Sequence, residues 1–171
     1  MFSSRLFSEL GLRLGLGIMG SETHGMSQRG GSVVAHVKLG DFQSPMIRRG
    51  TADILYSFEE NETYRTLKFL KRGSVCFANL EDLNRFNRKV LNYLRQRDIT
   101  FRAFDASSAA LKIGSIRSAN IALVGFSVGT GLVPFKYKDV RYVLERVSQK
   151  KQLSVNLKAF EIGIQEGKTA I

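Results

Sequence analysis

Residues 74–104 decide the fold. Ser74-Val-Cys-Phe-Ala-Asn79 is an apolar run that reads as a buried strand, and Ile99-Thr-Phe-Arg-Ala-Phe104 alternates as another. Between them Leu83, Phe86, Val90, Leu91 and Leu94 fall at i, i+3, i+7, i+8 and i+11, which predicts an amphipathic helix. The same alternation extends outward on both sides. Ala52–Phe58 reads as a strand that hands over to a helix opened by Glu59, Glu60 and Glu62, with Lys71, Arg72 and Gly73 expected at its C-terminal end. Ser32–Leu39 alternates as a strand through Val33, Ala35, Val37 and Leu39. Upstream, Leu6, Leu10 and Leu14 repeat at helical spacing over Arg5–Leu14, and Gly15-Leu-Gly17 breaks that pattern to open a short strand. Downstream, Ala106–Lys112 and Asn120–Leu132 read as helices rich in small residues. Tyr137–Gln149 and a final helix carrying Leu153, Leu157, Phe160 and Ile164 follow. Alternating strands and helices indicate an α/β sandwich around a largely parallel sheet. No internal repeat and no linker is present, so residues 1–171 read as a single domain.

Composition narrows the function. The 171 residues are 43% hydrophobic and 24% charged with 2 prolines, which excludes a disordered or collagen-like chain. Lys and Arg number 26 against 15 Asp and Glu, a net charge of +11 that suits an acidic or phosphate-bearing partner. Cys76 is the only cysteine, so this chain alone builds no disulfide, zinc ribbon or iron–sulfur cluster. Its apolar setting reads as an inert core thiol. No apolar run approaches the length of about 20 residues that a membrane helix requires, and the chain is expected to be soluble. The first twenty residues, with Arg5, Arg13 and three serines, faintly resemble a transit peptide; Glu9 and the glycines argue instead for part of the domain.

Four motifs carry chemical suggestions. Gly15-Leu-Gly-Ile-Met-Gly20 satisfies G-x-G-x-x-G, but a dinucleotide turn must follow a strand and open a helix, and here a helix precedes it. Gly125-Phe-Ser-Val-Gly129 satisfies G-x-S-x-G, yet no histidine follows Ser127 to act as its base, so Ser127 reads as a small residue in a packed helix. His24 and His36, twelve residues apart near Glu22, match no standard metal spacing. Arg85, Arg88, Lys89, Arg95 and Arg97 lie on the polar side of the helix after residue 83. A solvated face is the favoured reading there, and phosphate contact the sharper one.

The most informative stretch is Glu22-Thr-His24-Gly-Met-Ser-Gln28-Arg29-Gly-Gly31-Ser32, a polar loop between two strands that gathers a carboxylate, an imidazole, an amide and a guanidinium. Loops at strand ends are where α/β folds keep their sites. A turn whose glycines supply positive φ and whose polar groups satisfy the backbone explains the same residues equally well.

Residues 22–37, Glu-Thr-His-Gly-Met-Ser-Gln-Arg-Gly-Gly-Ser-Val-Val-Ala-His-Val, resemble the signature of the γ-type (small, beta) subunits of 2-oxoacid:ferredoxin oxidoreductases, the indolepyruvate branch in particular. The likeness continues through Gly50-Thr-Ala-Asp53, Phe104-Asp-Ala106, Arg117-Ser-Ala-Asn120 and Asn156-Leu-Lys-Ala-Phe-Glu161. The resemblance implies a Rossmann-like three-layer domain in a cytoplasmic complex. That complex would oxidatively decarboxylate 2-oxoacids, here arylpyruvates such as indolepyruvate, to acyl-CoA while reducing ferredoxin. Thiamine diphosphate, magnesium and 4Fe-4S clusters would then reside on a large partner subunit, with CoA as cosubstrate, and this chain would bind no cofactor alone. It would complete and shield the active site. By analogy Glu22, His24, Gln28, Arg29 and Ser32 face that interface, Arg29 contacting a carboxylate or phosphate, with Arg117 and Asn120 as secondary candidates. The basic surface would suit CoA or an acidic ferredoxin.

The resembled family begins with a strand and a Gly-x-Gly-Gly-Gln-Gly turn ahead of the first helix, and this sequence opens inside or just before that helix. The expectation is a native start upstream of Met1 or a marginally stable fragment, because loss of a central strand exposes apolar edges. A basic binding module for nucleic acid or another acidic partner is the alternative, and the loop signature disfavours it.

Overall fold

The apolar run at 74–79 becomes the middle of a parallel sheet. The computed structural model describes residues 2–24 and 32–170. In chain order it forms α1 (Phe2–Arg13), β1 (Ile18–His24), β2 (Val33–Leu39), β3 (Ala52–Ser57), α2 (Glu60–Thr66), β4 (Leu70–Asn79), α3 (Arg88–Gln96), β5 (Thr100–Phe104), α4 (Ala106–Lys112), α5 (Ala119–Gly129), α6 (Tyr137–Val147) and α7 (Lys150–Thr169). Two compact units result: residues 1–47 with 135–147, and residues 48–134 with 148–171.

The larger unit holds the three-stranded sheet, ordered β3-β4-β5, with both pairings parallel. Period-two alternation sends Cys76 and Ala78 to one face and Phe77 to the other. On the first face Ala78, Leu80 and Phe86 form a core against Tyr64, Phe101 and Ala103, and the Phe86 ring stacks on Tyr64 at 4.7 Å and on Phe101 at 4.9 Å. On the second face Tyr56 stacks on Phe77 at 5.4 Å, and Phe77 and Phe104 both meet Phe126 of α5. Helices thus cover both faces, the three-layer α/β arrangement that the alternation of elements predicts.

α5 is apolar all round because it is enclosed by the sheet on one side and α7 on the other. The two helices touch backbone to backbone. A Cβ built on Gly125 would fall on the Phe160 carbonyl oxygen, on Gly129 on that of Ile164, on Gly163 on that of Ala122, and on Gly167 on that of Phe126. The G-x-S-x-G match is therefore two glycines of a helix crossing with a serine between them. Ser127 is buried, donates to the Val124 carbonyl at 2.7 Å and shares a hydrogen bond of 2.8 Å with the Tyr56 hydroxyl.

Two local expectations are corrected. The helix opened by the acidic run ends at Thr66, and Leu67–Phe69 form a 3-10 turn, so Lys71, Arg72 and Gly73 lie inside β4. There the register against β3 is irregular, Gly73 takes φ 73°, its N–H donates to the Arg97 carbonyl, and Arg72 pairs with Asp98 at 2.7 Å. A bulge needs a positive-φ glycine for the same steric reason a helix cap does, which is why the two signals look alike in sequence. The amphipathic helix is also shorter than its apolar spacing suggests. Asn87 caps α3 by accepting from the Lys89 N–H at 2.9 Å, and Phe86, just before it, is extended. Leu83 consequently sits on a separate 3-10 turn and is exposed.

The smaller unit combines α1, α6 and an antiparallel β1–β2 hairpin. Leu6 and Leu10 are its buried stripe, Phe7 packs its ring on Phe135 at 5.7 Å, and Arg13 Nε pairs with Asp139 at 2.9 Å. Leu14 falls past the end of α1 and is exposed. No helix among the described residues is long and apolar enough to cross a membrane.

Replacing Gly163 with alanine tests the crossing. On an exposed helix this change stabilises by about 1 kcal/mol; here the new methyl meets backbone and the expected outcome is a loss of roughly 1–3 kcal/mol by chemical denaturation.

Candidate functional site

The hairpin builds the site from its base. α1 closes with a Schellman cap: the Leu16 N–H donates to the Gly11 carbonyl at 2.9 Å, the Gly15 N–H to Leu12 at 3.0 Å, and Gly15 takes φ 71°. Gly15 of the G-x-G-x-x-G match is thus a helix stop, and Gly20 lies within β1. The hairpin register runs from Ile18 opposite Leu39 to His24 opposite Val33, so the signature loop springs from the far end of a ladder with no bulge. Glu22 sits two residues from that end, and its Oε1 accepts a hydrogen bond of 2.6 Å from Ser4 Oγ in the first turn of α1. Thr23 Oγ1 donates across the pair to the Val34 carbonyl at 3.2 Å.

The structure brings Glu22, His24 and Ser32 to this end of the hairpin. Gln28 and Arg29 lie outside the described residues. Arg117 and Asn120 belong to the larger unit. Arg117 is exposed on the 3-10 turn Ile116–Ser118, and Asn120 is half-buried at the start of α5. Ser4 has no sequence signal that would have marked it; only the helix–hairpin packing brings it to Glu22. The motifs around Arg117 and Asn156 prove to be one network. Ser118 Oγ donates to Asn156 Oδ1 at 3.0 Å, and Asn156 Nδ2 donates to Ser148 Oγ at 3.0 Å, all within the larger unit.

The remaining titratable groups of interest are occupied structurally. His36 is buried on β2, and its Nδ1 accepts from the Ile47 N–H at 3.2 Å. Burial, with a smaller contribution from the Lys38 charge, holds its pKa below the ordinary 6.5. Burial pushes the Cys76 thiol up to about 12. That single, protonated sulfur does not fit an iron–sulfur cluster, which takes several thiolates. Among the described residues no group of three or more His, Cys, Asp or Glu is placed to hold a metal.

The family model for pyruvate ferredoxin/flavodoxin oxidoreductase matches residues 1–166. The chain belongs to that family. The indolepyruvate oxidoreductase subunit IorB of Pyrococcus horikoshii is 31% identical to this family member, over 97% of the chain and 89% of the relative. In fold, the chain is similar to the gamma subunit of a keto/oxoacid ferredoxin oxidoreductase from Geobacter sulfurreducens, with TM-score 0.74 and 20% identity over 99% of this chain and 92% of that one. It is also similar to part of the 2-oxoglutarate:ferredoxin oxidoreductase of Magnetococcus marinus, with TM-score 0.73 and 16% identity over 99% of this chain and 29% of that one. The α/β fold seen in these gamma-subunit neighbours is thereby established for this family member, and the matches lend the nucleic-acid module no support.

Two measurements check these assignments. A histidine free in the unfolded chain takes its proton near 6.5, whereas folded His36 resists until lower pH. Stability is therefore complete above that pH and falls as pH drops through it, by at most about 1.4 kcal/mol per unit. Melting curves between pH 7.5 and 5.5 are expected to flatten in His36→Asn. Cys76 is expected to ignore a thiol reagent in the native chain and to react once denaturant unfolds it; reaction at the native-state rate of a free thiol would contradict its burial.

Proposed function

We propose that this chain is the small, γ-type subunit of a 2-oxoacid:ferredoxin oxidoreductase acting on arylpyruvates such as indolepyruvate. The observation that carries the substrate class is the 31% identity, over nearly the full length of both chains, with an indolepyruvate oxidoreductase subunit. A large partner subunit would hold thiamine diphosphate, magnesium and the 4Fe-4S clusters and pass electrons to ferredoxin, with CoA accepting the acyl group. Bound there, thiamine diphosphate would supply the decarboxylating carbanion chemistry. The donor set here fits none of the clusters, so the contribution of this chain is to bind, orient and exclude water. The family match across residues 1–166 supports treating residues 1–171 as one functional domain composed of both units. A cytoplasmic setting suits an oxygen-sensitive cluster partner and a chain with one reduced thiol.

Within this reading the loop of Glu22, His24, Gln28, Arg29 and Ser32 is the segment that faces the partner's active site. A hairpin whose end is tied to α1 through Ser4 and Glu22 is a rigid mount for such a loop. Arg29 is assigned the contact to a carboxylate or phosphate of substrate or CoA, with Arg117 and Asn120 secondary.

Co-expression with the large thiamine- and cluster-bearing subunit, followed by CoA-dependent viologen reduction, tests the proposal. Stable co-purification and faster turnover of indolepyruvate than of pyruvate are expected. Arg29→Ala should lower the activity of the assembled complex about tenfold or more, the scale of one charge-assisted hydrogen bond. Full activity with normal assembly would defeat the role given to Arg29.

A further inference from the structure

Residues 106–120 and 148–160 carry Lys112, Arg117, Lys150, Lys151 and Lys158 and no Asp or Glu. The Ser118–Asn156–Ser148 hydrogen bonds make these two segments neighbours in the larger unit, and all five cations are exposed. At their centre the chain turns through Gly114, φ 78°, and Leu111 and Ile116 on either side of the turn stand 60% and 50% exposed. The buried stripe of α4 is Ala106, Ala109 and Ala110, so Leu111 lies off its inner face. The knuckle is firmly built: the Gly114 N–H donates to the Leu111 carbonyl at 2.9 Å and the Ser115 N–H to Ala110 at 3.0 Å. Isolated exposed aliphatics are ordinary on protein surfaces. Two on one rigid turn, among five exposed cations with Asp105 and Glu161 at the edges of the two segments, form an anchor with a predominantly basic rim.

We propose that this knuckle docks on the large partner subunit, Leu111 and Ile116 entering an apolar pocket whose rim presents carboxylates to Lys112, Arg117 and the lysines of α7. The inference rests on the subunit reading above. Large aliphatic anchors at the centre favour a lasting subunit contact over a brief, polar encounter with an electron acceptor. Single-stranded nucleic acid would need exposed aromatic rings, and the one aromatic residue in these segments, Phe160, is buried.

The test measures binding of this chain to the large subunit at low and moderate salt, for wild type, Leu111→Asp/Ile116→Asp and Lys112→Glu/Lys151→Glu, the latter pair exposed and outside the substrate contacts assigned above, with a melting curve of each chain alone. The aspartate pair is expected to weaken binding roughly 30-fold, the scale of a two-residue hot spot. The charge reversal should weaken binding about tenfold at low salt and flatten its salt dependence. Should the aspartate pair melt early, the charge reversal, which alters exposed groups only, carries the test. Either folded variant binding as tightly as wild type overturns the proposal. So does normal assembly with loss of turnover to a protein acceptor while viologen turnover persists, because the knuckle would then serve the acceptor. Failure of the wild-type chain itself to bind would instead sink the subunit reading, and this inference with it.

Discussion

The larger unit depends on the crossing of α5 and α7, where four glycines let two backbones touch. With no side chain between them the helices approach until carbonyl oxygens stand where Cβ atoms would be, and dispersion acts over the whole contact. The close approach fixes the level of α5 against the sheet. That level in turn sets where the Phe126 ring meets Phe77 and Phe104 and where Ser127 meets the buried Tyr56 hydroxyl. Larger residues at these positions would lift α7 and open the layer beneath it, so the small-residue character of the helix at 119–129 is a packing requirement.

The smaller unit solves a different problem. Its hairpin has only two strands, and two strands in water are marginal unless packed against a helix. α1 supplies that support: Gly11 admits the Leu39 side chain so closely that any Cβ there would clash at 2.6 Å, and Ser4 fastens Glu22. The Schellman cap at Gly15 then reverses the chain into β1. The two-stranded ladder is thus held by a helix that has its own hydrophobic contacts.

With Cys76 as its one cysteine, and that buried, this family member does not by itself supply the several thiolates an iron–sulfur cluster takes. Its basic character is unevenly distributed, and the acid-free segments beside α4 and α7 concentrate it where aliphatic side chains are also exposed. Charge of one sign around an apolar centre speeds encounter and fixes register, and the apolar centre supplies persistence.

The sequence by itself determined the α/β class, the helix 106–112 to the residue, the existence of a final helix through Leu153–Ile164, the apolar setting of Cys76 and the stretch most worth testing. Those features follow from local periodicity, from residue counting and from a signature of contiguous residues. Tertiary structure decided what periodicity cannot carry. Lys71-Arg72-Gly73 could close a helix or bulge a strand, since both need a left-handed glycine, and pairing with β3 together with the Gly73–Arg97 hydrogen bond selected the bulge. Leu83 and Phe86 matched a helical stripe, but the Asn87 cap started α3 after them. Ser4 with Glu22, and Ser118 with Asn156, lie 18 and 38 residues apart, and contacts over such separations exist only once the helices have packed.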